Sequence, residues 1–491
     1  MPKLRFLLTL LGAILLPGIL RAQDNHYEYL KTGSRNSIIA NAGLSRFEDQ
    51  AAVIVNPATL SYAMGSSFSL NTTAVGFSNI TFRNDKGQGF NINYGNLNVL
   101  PNMAVGVLKP KKNEKDWVMG YGVYHRMNDK LRFTDRQESK IDVLDDSESP
   151  GLETYIAQYN LAHQIDEISA IIGAGWNISE HVAIGFSQIF TYRTEEYQEV
   201  FSASALPPRG GGATIEPVSG MSDFYARYYK IFTQTKLGMA IQLPKWDIGL
   251  TFGLPSVGIM GTGEVMSEAI LNNIRLMDDL NRPRSSYFAN GRADEIKPKY
   301  KYGLSAGLGV SRAFGKLRLY TAVNWYEGLK AYTVLDPGDV GFFQPVTDSN
   351  VLYTDDFLRV YAKSKSVVNA SIGADWSYHG TKHLLFSFHK DGHFAQQDDA
   401  EQGKQLAVKR WDNYHIAIGT QQTFFRSDWM IGFRYSFAKV NNAPEPYSFE
   451  DPTERNFLRG DRQTGVLKAT SFQFMLSYSF KIGVSPDAIK Q

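Results

Sequence analysis

The chain has 491 residues, of which 43% are hydrophobic, 13% aromatic and 20% charged, and it has no cysteine. That composition excludes disulfide scaffolds, zinc ribbons and thiol catalysis. A mean hydropathy of -0.27 excludes a bundle of membrane helices, which needs repeated apolar runs of about 20 residues, and a formal charge of +2 gives no basic excess for nucleic acid.

Lys3 and Arg5 precede a mostly apolar stretch from Phe6 to Leu20, followed by Arg21 and Ala22. This charged, apolar, small-residue order predicts a cleaved secretory signal peptide over 1–22, with an N-terminal membrane anchor as the alternative. Removing it takes away Lys3, Arg5 and Arg21 and no acid, which moves the net charge below zero and weakens nucleic-acid binding further. Without a cysteine behind the apolar stretch, a lipoprotein is excluded.

Residues 23–64 do not alternate. From Asn36 to Ala63 they are small, apolar and punctuated, which predicts a compact plug of turns and short helices. The apolar density at Ala51 to Val55 speaks against a floppy leader. Asn56-Pro57 is expected to start a tight turn, with Asn bonding its own backbone and Pro fixing its dihedral, and Ala58 allows a close approach to a wall.

From 65 to 482 the period is two. Phe472, Phe474, Leu476, Tyr478, Phe480 and Ile482 alternate with Gln473, Met475, Ser477, Ser479 and Lys481. Asp428 to Phe437 and Trp246 to Leu254 repeat the pattern. Alternation alone does not separate a soluble sandwich from a barrel in lipid, whereas connection lengths do. Tight turns at Lys111–Lys115, Asn177–His181, Leu243–Lys245, Ala313–Lys316, His379–Lys382 and Phe425–Ser427 alternate with long polar stretches near 129–163, 196–222, 265–296, 335–361, 393–410 and 442–466. Short turns on one side and long loops on the other are the signature of an antiparallel transmembrane barrel. The fold class expected is therefore all-β: a transmembrane antiparallel β-barrel of about 14 strands with an N-terminal hatch in its lumen. Trp117, Trp176, Trp246, Trp325, Trp376 and Trp429 fall near strand ends, where rings suit headgroup depth. Residues 483–491 form a periplasmic tail.

The run Asn41-Ala42-Gly43-Leu44-Ser45, followed by Asp49-Gln50-Ala51-Ala52 and then Asn56-Pro57-Ala58-Thr59-Leu60, resembles the N-terminal hatch of the FadL/TodX/OmpP1 family of outer-membrane transporters for hydrophobic compounds. The hatch positions carried over are Asn41, Ala42, Gly43, Asp49, Asn56, Pro57 and Ala58. The resemblance implies fourteen strands and a ligand that enters from an outer-loop groove, binds inside and leaves sideways through a kinked strand. Pro101, preceded by Gly95, is the candidate for that kink; an ordinary bulge proline is the alternative. It falls in the second strand, while the family's gap belongs to the third.

Met266 to Leu280 is predicted as a helix capped by Ser267, with Ile270, Leu271, Ile274 and Met277 as an apolar stripe. That stripe either captures ligand or packs on neighbouring loops. Gly303-Leu304-Ser305-Ala306-Gly307 matches the serine-hydrolase elbow pattern, yet alternation runs straight through it, so Ser305 is not expected to be a nucleophile. His379, His383, His389 and His393 cluster in sequence, but their spacing along strands does not converge on one ion. No metal, cofactor or catalytic residue is expected.

The function expected is passive uptake of hydrophobic small molecules, long-chain fatty acids or aromatic hydrocarbons, with outer-membrane lipid as surroundings. Two rivals stand: a barrel scaffold that binds a protein partner in secretion, and an outer-membrane esterase using Ser305.

Overall fold

The computed structural model describes residues 26–28, 33–84, 86, 89–97, 101–110, 117–144, 147–208, 215–275, 283–338, 357–394, 403–406, 410–445 and 447–482, with 94–97 as backbone alone. The predicted signal peptide, the turn at Lys111–Lys115, Met277 and the tail 483–491 lie outside the described residues.

Fourteen strands form one closed antiparallel sheet. They are β1 Ser66–Asn84, β2 Asn91–Leu97 with Met103–Leu108, β3 Trp117–Ile141, β4 Glu153–Asn177, β5 Val182–Leu206 and β6 Val218–Gln242. Next come β7, Trp246–Gly253 with Val257–Ile274, and β8, Ser285–Ile296 with Ser305–Phe314. The circuit continues with β9 Leu317–Tyr326, β10 Val367–His379, β11 Lys382–Asp391, β12 Asn413–Phe424, β13 Ser427–Pro444 and β14 Thr464–Ile482. β14 returns to β1 along their whole length, from Ser66↔Ile482 to Asn84↔Gly465, with one bulge between Thr73 and Val75. Closure removes the sheet edges that lipid cannot satisfy.

The pleat then sorts the side chains. Phe186, Ile372 and Trp429 are 40%, 55% and 55% exposed on the outside, while Ser187, Met430 and Met475 face inward and are buried. Trp117 and Trp176 share the first rung of the β3–β4 ladder, beside the short turns. Among the described residues no helix is long and apolar enough to cross a membrane.

The wall is uneven. β3 to β6 have 25 residues each, whereas β9 and β11 have 10. This corrects the predicted loops: β3 continues to Ile141 and β4 begins at Glu153, so the polar stretch 129–163 is largely strand. Outside the apolar belt both faces of the sheet meet water, so the alternation fades while the ladder goes on. The predicted helix over 266–280 is also corrected. Val257–Ile274 is strand, laddered on one side to β6 and on the other to β8. Backbone bonds to two neighbours outweigh a local 3.6-residue pattern. Ile270 and Leu271 are partly buried and Ile274 is enclosed in the outer core, so the stripe packs within the dome.

Two seams interrupt the wall. β2 and β3 pair from Leu108↔Met119 to Met103↔Tyr124. Beyond that rung Asn91–Leu97 pairs with β1 and, among the described residues, with nothing on β3. Pro101 sits at this break, where its missing N–H costs no ladder bond; Gly95 lies in the outer piece, opposite Phe77. The second seam separates the middles of β7 and β8. Toward the outside, loops close a dome with an aromatic core. Tyr447 stacks on Tyr159 at 4.5 Å, and Arg284 holds Glu454 at 2.8 Å and Glu148 at 2.7 Å.

Candidate functional site

The N-terminal segment lies within the lumen as four short helical turns, Arg35–Ile38, Ala42–Ser45, Ala52–Val55 and Pro57–Tyr62. Asp49 organises the first half: its carboxylate accepts from the Asn36 amide at 2.9 Å, the Asn36 side chain at 3.0 Å and the Ala51 amide at 2.9 Å. Asn56 organises the second, as its sequence suggested. Its Oδ1 accepts from the Ala58 amide at 3.2 Å, and its Nδ2 donates to the Leu44 carbonyl at 2.8 Å and to Met239 of β6 at 3.1 Å. Asn41 adopts the left-handed conformation at φ 58, which Asn tolerates better than most residues. Ala42, Gly43 and Ala58 are all buried.

The wall is cut to fit this segment by glycines that sequence reading passed over. A Cβ on Gly185 would stand 2.5 Å from the Ala58 nitrogen, and one on Gly249 would stand 2.1 Å from the Leu44 carbonyl oxygen. Gly120 and Gly173 leave comparable room for Val53, and Gly432 for Ile38. Polar ties add to the fit. Ser187 donates to the Val53 carbonyl at 2.6 Å, Arg35 pairs with Glu48 at 3.0 Å and with Asp375 of β10, and Arg434 of β13 donates to the Ser37 carbonyl.

Between this segment and the wall lies an inner chamber of about 140 Å³. Leu44, Ile54, Val55 and Ile189 give it apolar surface, and Arg126 and Lys236 give it two cations. Lys236 donates to the Ile54 carbonyl at 2.7 Å. Arg126 donates to Gln234 at 2.9 Å and lies over the Tyr302 ring at 3.9 Å. Arg126 is the extra residue of a bulge between His125 and Met127, and bulges re-aim side chains in this way. Tyr124, immediately before that bulge, lines the same chamber and forms the last β2–β3 rung. The chamber therefore abuts the first seam.

An outer chamber, smaller than the inner one at about 40 Å³, is walled by Tyr228, Tyr300, Tyr302, Tyr332 and Phe394. Tyr27 lines both chambers, held between Tyr326 at 4.4 Å and Phe394 at 4.1 Å. Its neighbours are tied as firmly. His26 pairs with Asp391 at 2.9 Å, and Glu28 accepts from the Tyr326 hydroxyl at 2.9 Å and approaches His389 at 3.4 Å. Tyr27 thus stands between the two chambers, with His26 and Glu28 anchoring it on either side in sequence. Burial, followed by the nearby Asp391 carboxylate, pushes Glu28 up to about 7, while its hydrogen bonds from Tyr326, Asn324 and Asn369 oppose the shift. A raised carboxyl pKa means that docking is strongest while the group is protonated and weakens as pH rises toward about 7. Amide exchange at 26–28, corrected for its intrinsic rate, is expected to speed up as pH rises from about 4.5 to about 7 and to level off above that, and Glu28→Gln is expected to flatten that dependence.

Three of the four clustered histidines serve separate partners: His383 pairs with Asp375 at 2.7 Å, His389 approaches Glu28, and His393 pairs with Asp412. Among the described residues no three donors are grouped to hold a metal ion. Ser305 opens the straight outer end of a strand segment and lines the inner chamber. No hydrogen bond from His, Asp or Glu reaches its hydroxyl among the described residues.

No family model matches the sequence, and no curated protein sequence matches it. Solved structures do. The Pseudomonas putida toluene transporter TodX aligns with TM-score 0.54 at 15% identity, covering 93% of this chain and 100% of its own. A Pseudomonas aeruginosa FadL homologue aligns with TM-score 0.52 at 12% identity, covering 95% of this chain and 100% of its own. Along nearly its whole length, this chain shares the fold of the FadL and TodX outer-membrane proteins.

Proposed function

We propose that this barrel is an outer-membrane transporter for hydrophobic small molecules. On this reading an exported chain sits in the outer membrane, its N-terminal segment acts as a hatch, and solute moves by passive diffusion. The observation that carries it is the inner chamber, enclosed by hatch and wall and adjoining a wall break on β2–β3. A solute that is poorly soluble in water gains by leaving sideways into lipid, and that break supplies the route with no ladder to open. The structures sharing the fold are described as a toluene transporter and a FadL homologue, which supports the same class of cargo.

Between the two cargoes the sequence suggested, the lining favours a fatty acid. Leu44, Ile54, Val55 and Ile189 suit an acyl chain, while Arg126 and Lys236 suit a carboxylate. A pure hydrocarbon would make no use of these two cations. The test is uptake of labelled oleate by cells with and without the gene, with labelled toluene in parallel. Oleate uptake that depends on the gene is expected; equal uptake in both strains would count against transport.

A further inference from the structure

Transport as proposed uses the seam between β2 and β3 and leaves the second seam without a role. Between the rungs Gly253↔Ser305 and Gly263↔Ile296, residues 254–262 of β7 and 297–304 of β8 share no ladder pair among the described residues. β7 stays in the wall, still laddered to β6 from Val257↔Thr233 to Thr262↔Tyr229. It is β8 that departs. A bulge separates Ala293 from Ile296, Glu295 takes the left-handed conformation at φ 57, and Pro298 has no N–H to offer a neighbour. The departing segment joins an inner layer instead: the Lys299 amide donates to the Val334 carbonyl at 2.9 Å, and Tyr332–Leu335 pairs with Val360–Ala362.

Little crosses the seam. The Ser256 amide donates to the Tyr302 carbonyl at 3.0 Å, and the Tyr302 amide donates to the Ser256 hydroxyl at 2.8 Å. Lys230 of β6 reaches past Gly258 to the Tyr300 carbonyl at 2.9 Å. On the outer lip Val257, Ile259 and Met260 are 64%, 54% and 59% exposed, at the outward end of the apolar belt. Behind the lip Tyr300, Lys301 and Tyr302 line the outer chamber. Unladdered backbone is tolerated at membrane depth where it borders protein or a cavity rather than lipid, and segments with few backbone bonds open at the least cost.

We infer that this seam is a second lateral opening, through which a hydrophobic solute dissolved in the outer leaflet enters the outer chamber between residues 257–262 and 297–304. The inference rests on the transport reading and adds a lipid-side entrance to it, on a different part of the wall from the β2–β3 break. Displacing residues 297–304 connects the bilayer to the chamber that these same residues line: across the seam itself only the two Ser256 bonds and the Lys230 contact yield, while the inward ties of the segment, Lys299 to Val334 at 2.9 Å, Leu304 with Glu327 at 2.9 Å and the Tyr302 hydroxyl to Glu167 at 2.7 Å, set the cost of opening. Tyr27 then stands between the entering solute and the inner chamber.

The chain has no cysteine, so an introduced pair has no competing thiol. A Cβ built on Gly261 would lie 3.0 Å from Pro298 Cγ, which places Gly261→Cys with Pro298→Cys within reach of a disulfide across the seam, and 2.4 Å from the Tyr229 carbonyl oxygen, so the reduced variant is first compared with the parent chain for amide protection along β6 and β7 and for uptake, to show that the ladder has absorbed the added carbon. The full-length double variant, oxidised and then reduced, is assayed for oleate delivered from the outer leaflet. Loss of most uptake on oxidation and its recovery on reduction is the expected result. Unchanged uptake with the disulfide confirmed by mass spectrometry overturns the inference and leaves transport standing. If the unmodified chain transports nothing, the transport reading falls, and the seam is judged by amide exchange in lipid. Exchange at 297–304 faster than in the laddered parts of β8 is then expected, and equal protection overturns it.

Discussion

Replacing Gly185 and Gly249 together with valine will unseat the hatch while leaving the barrel closed. Both positions are in regular strand, where valine is favoured over glycine, so the wall itself gains. The added carbons, however, meet hatch backbone: the Ala58 nitrogen at 2.5 Å and the Leu44 carbonyl at 2.1 Å. Backbone cannot swing aside as a side chain can. Overpacking of this kind costs about 1–3 kcal/mol per site, which for one site shifts a seated-to-displaced equilibrium by roughly 5- to 150-fold. The expected readout is a large rise in permeation of a small sugar into liposomes holding the purified variant, with heat-modifiable migration of the barrel unchanged. Permeation equal to that of the parent chain would show that the segment does not stopper the lumen.

Lys236→Met will separate the two cargoes. Methionine keeps much of the chain length and removes the cation, so a carboxylate in the inner chamber loses one charge-assisted partner. That interaction is worth about 1.5–3 kcal/mol, or roughly 10- to 150-fold in affinity. Oleate binding to the purified protein should fall by that order, and toluene binding should hold. The substitution also strips the Ile54 carbonyl of its donor at 2.7 Å, so sugar permeation serves as the control for a hatch that has merely loosened. Equal loss for both ligands with tight permeation would contradict the assignment of Lys236 to a carboxylate.

Much of the architecture is written in local chemistry. The short turns at Asn177–His181, Ala313–Lys316 and Phe425–Ser427 stand where the alternation stops, because a reversing strand needs turn residues whatever lies beside it. The Asn56 side chain closes on the Ala58 amide as its residue type demands. The outward rows, such as Phe472 and Leu476 on β14, are legible because one solvent reads each face. What escaped reading depends on distant partners. Ile270 and Ile274 carry a helical period, yet their backbone is claimed by β6 and β8. The second seam follows from where β8 ceases to match β7, and no feature of residues 297–304 alone announces it. Arg126 enters the inner chamber through a one-residue bulge against β4, and the glycines at 185 and 249 matter through hatch atoms far away in sequence. His26 and Glu28 fall before the patterned part of the N-terminal segment, and their roles follow only from Asp391 on β11 and Tyr326 on β9.

The central claim is that a hydrophobic ligand resides between hatch and wall, with any charged end at Arg126 and Lys236. A crystal of the protein grown with a fatty acid brominated at its methyl end tests it most directly, since anomalous scattering locates the bromine without reference to a fitted chain. Bromine inside the barrel, with acyl density leading back to Lys236, is the expected result. Bromine confined to the outer apolar belt, with the inner chamber holding water alone, would contradict it.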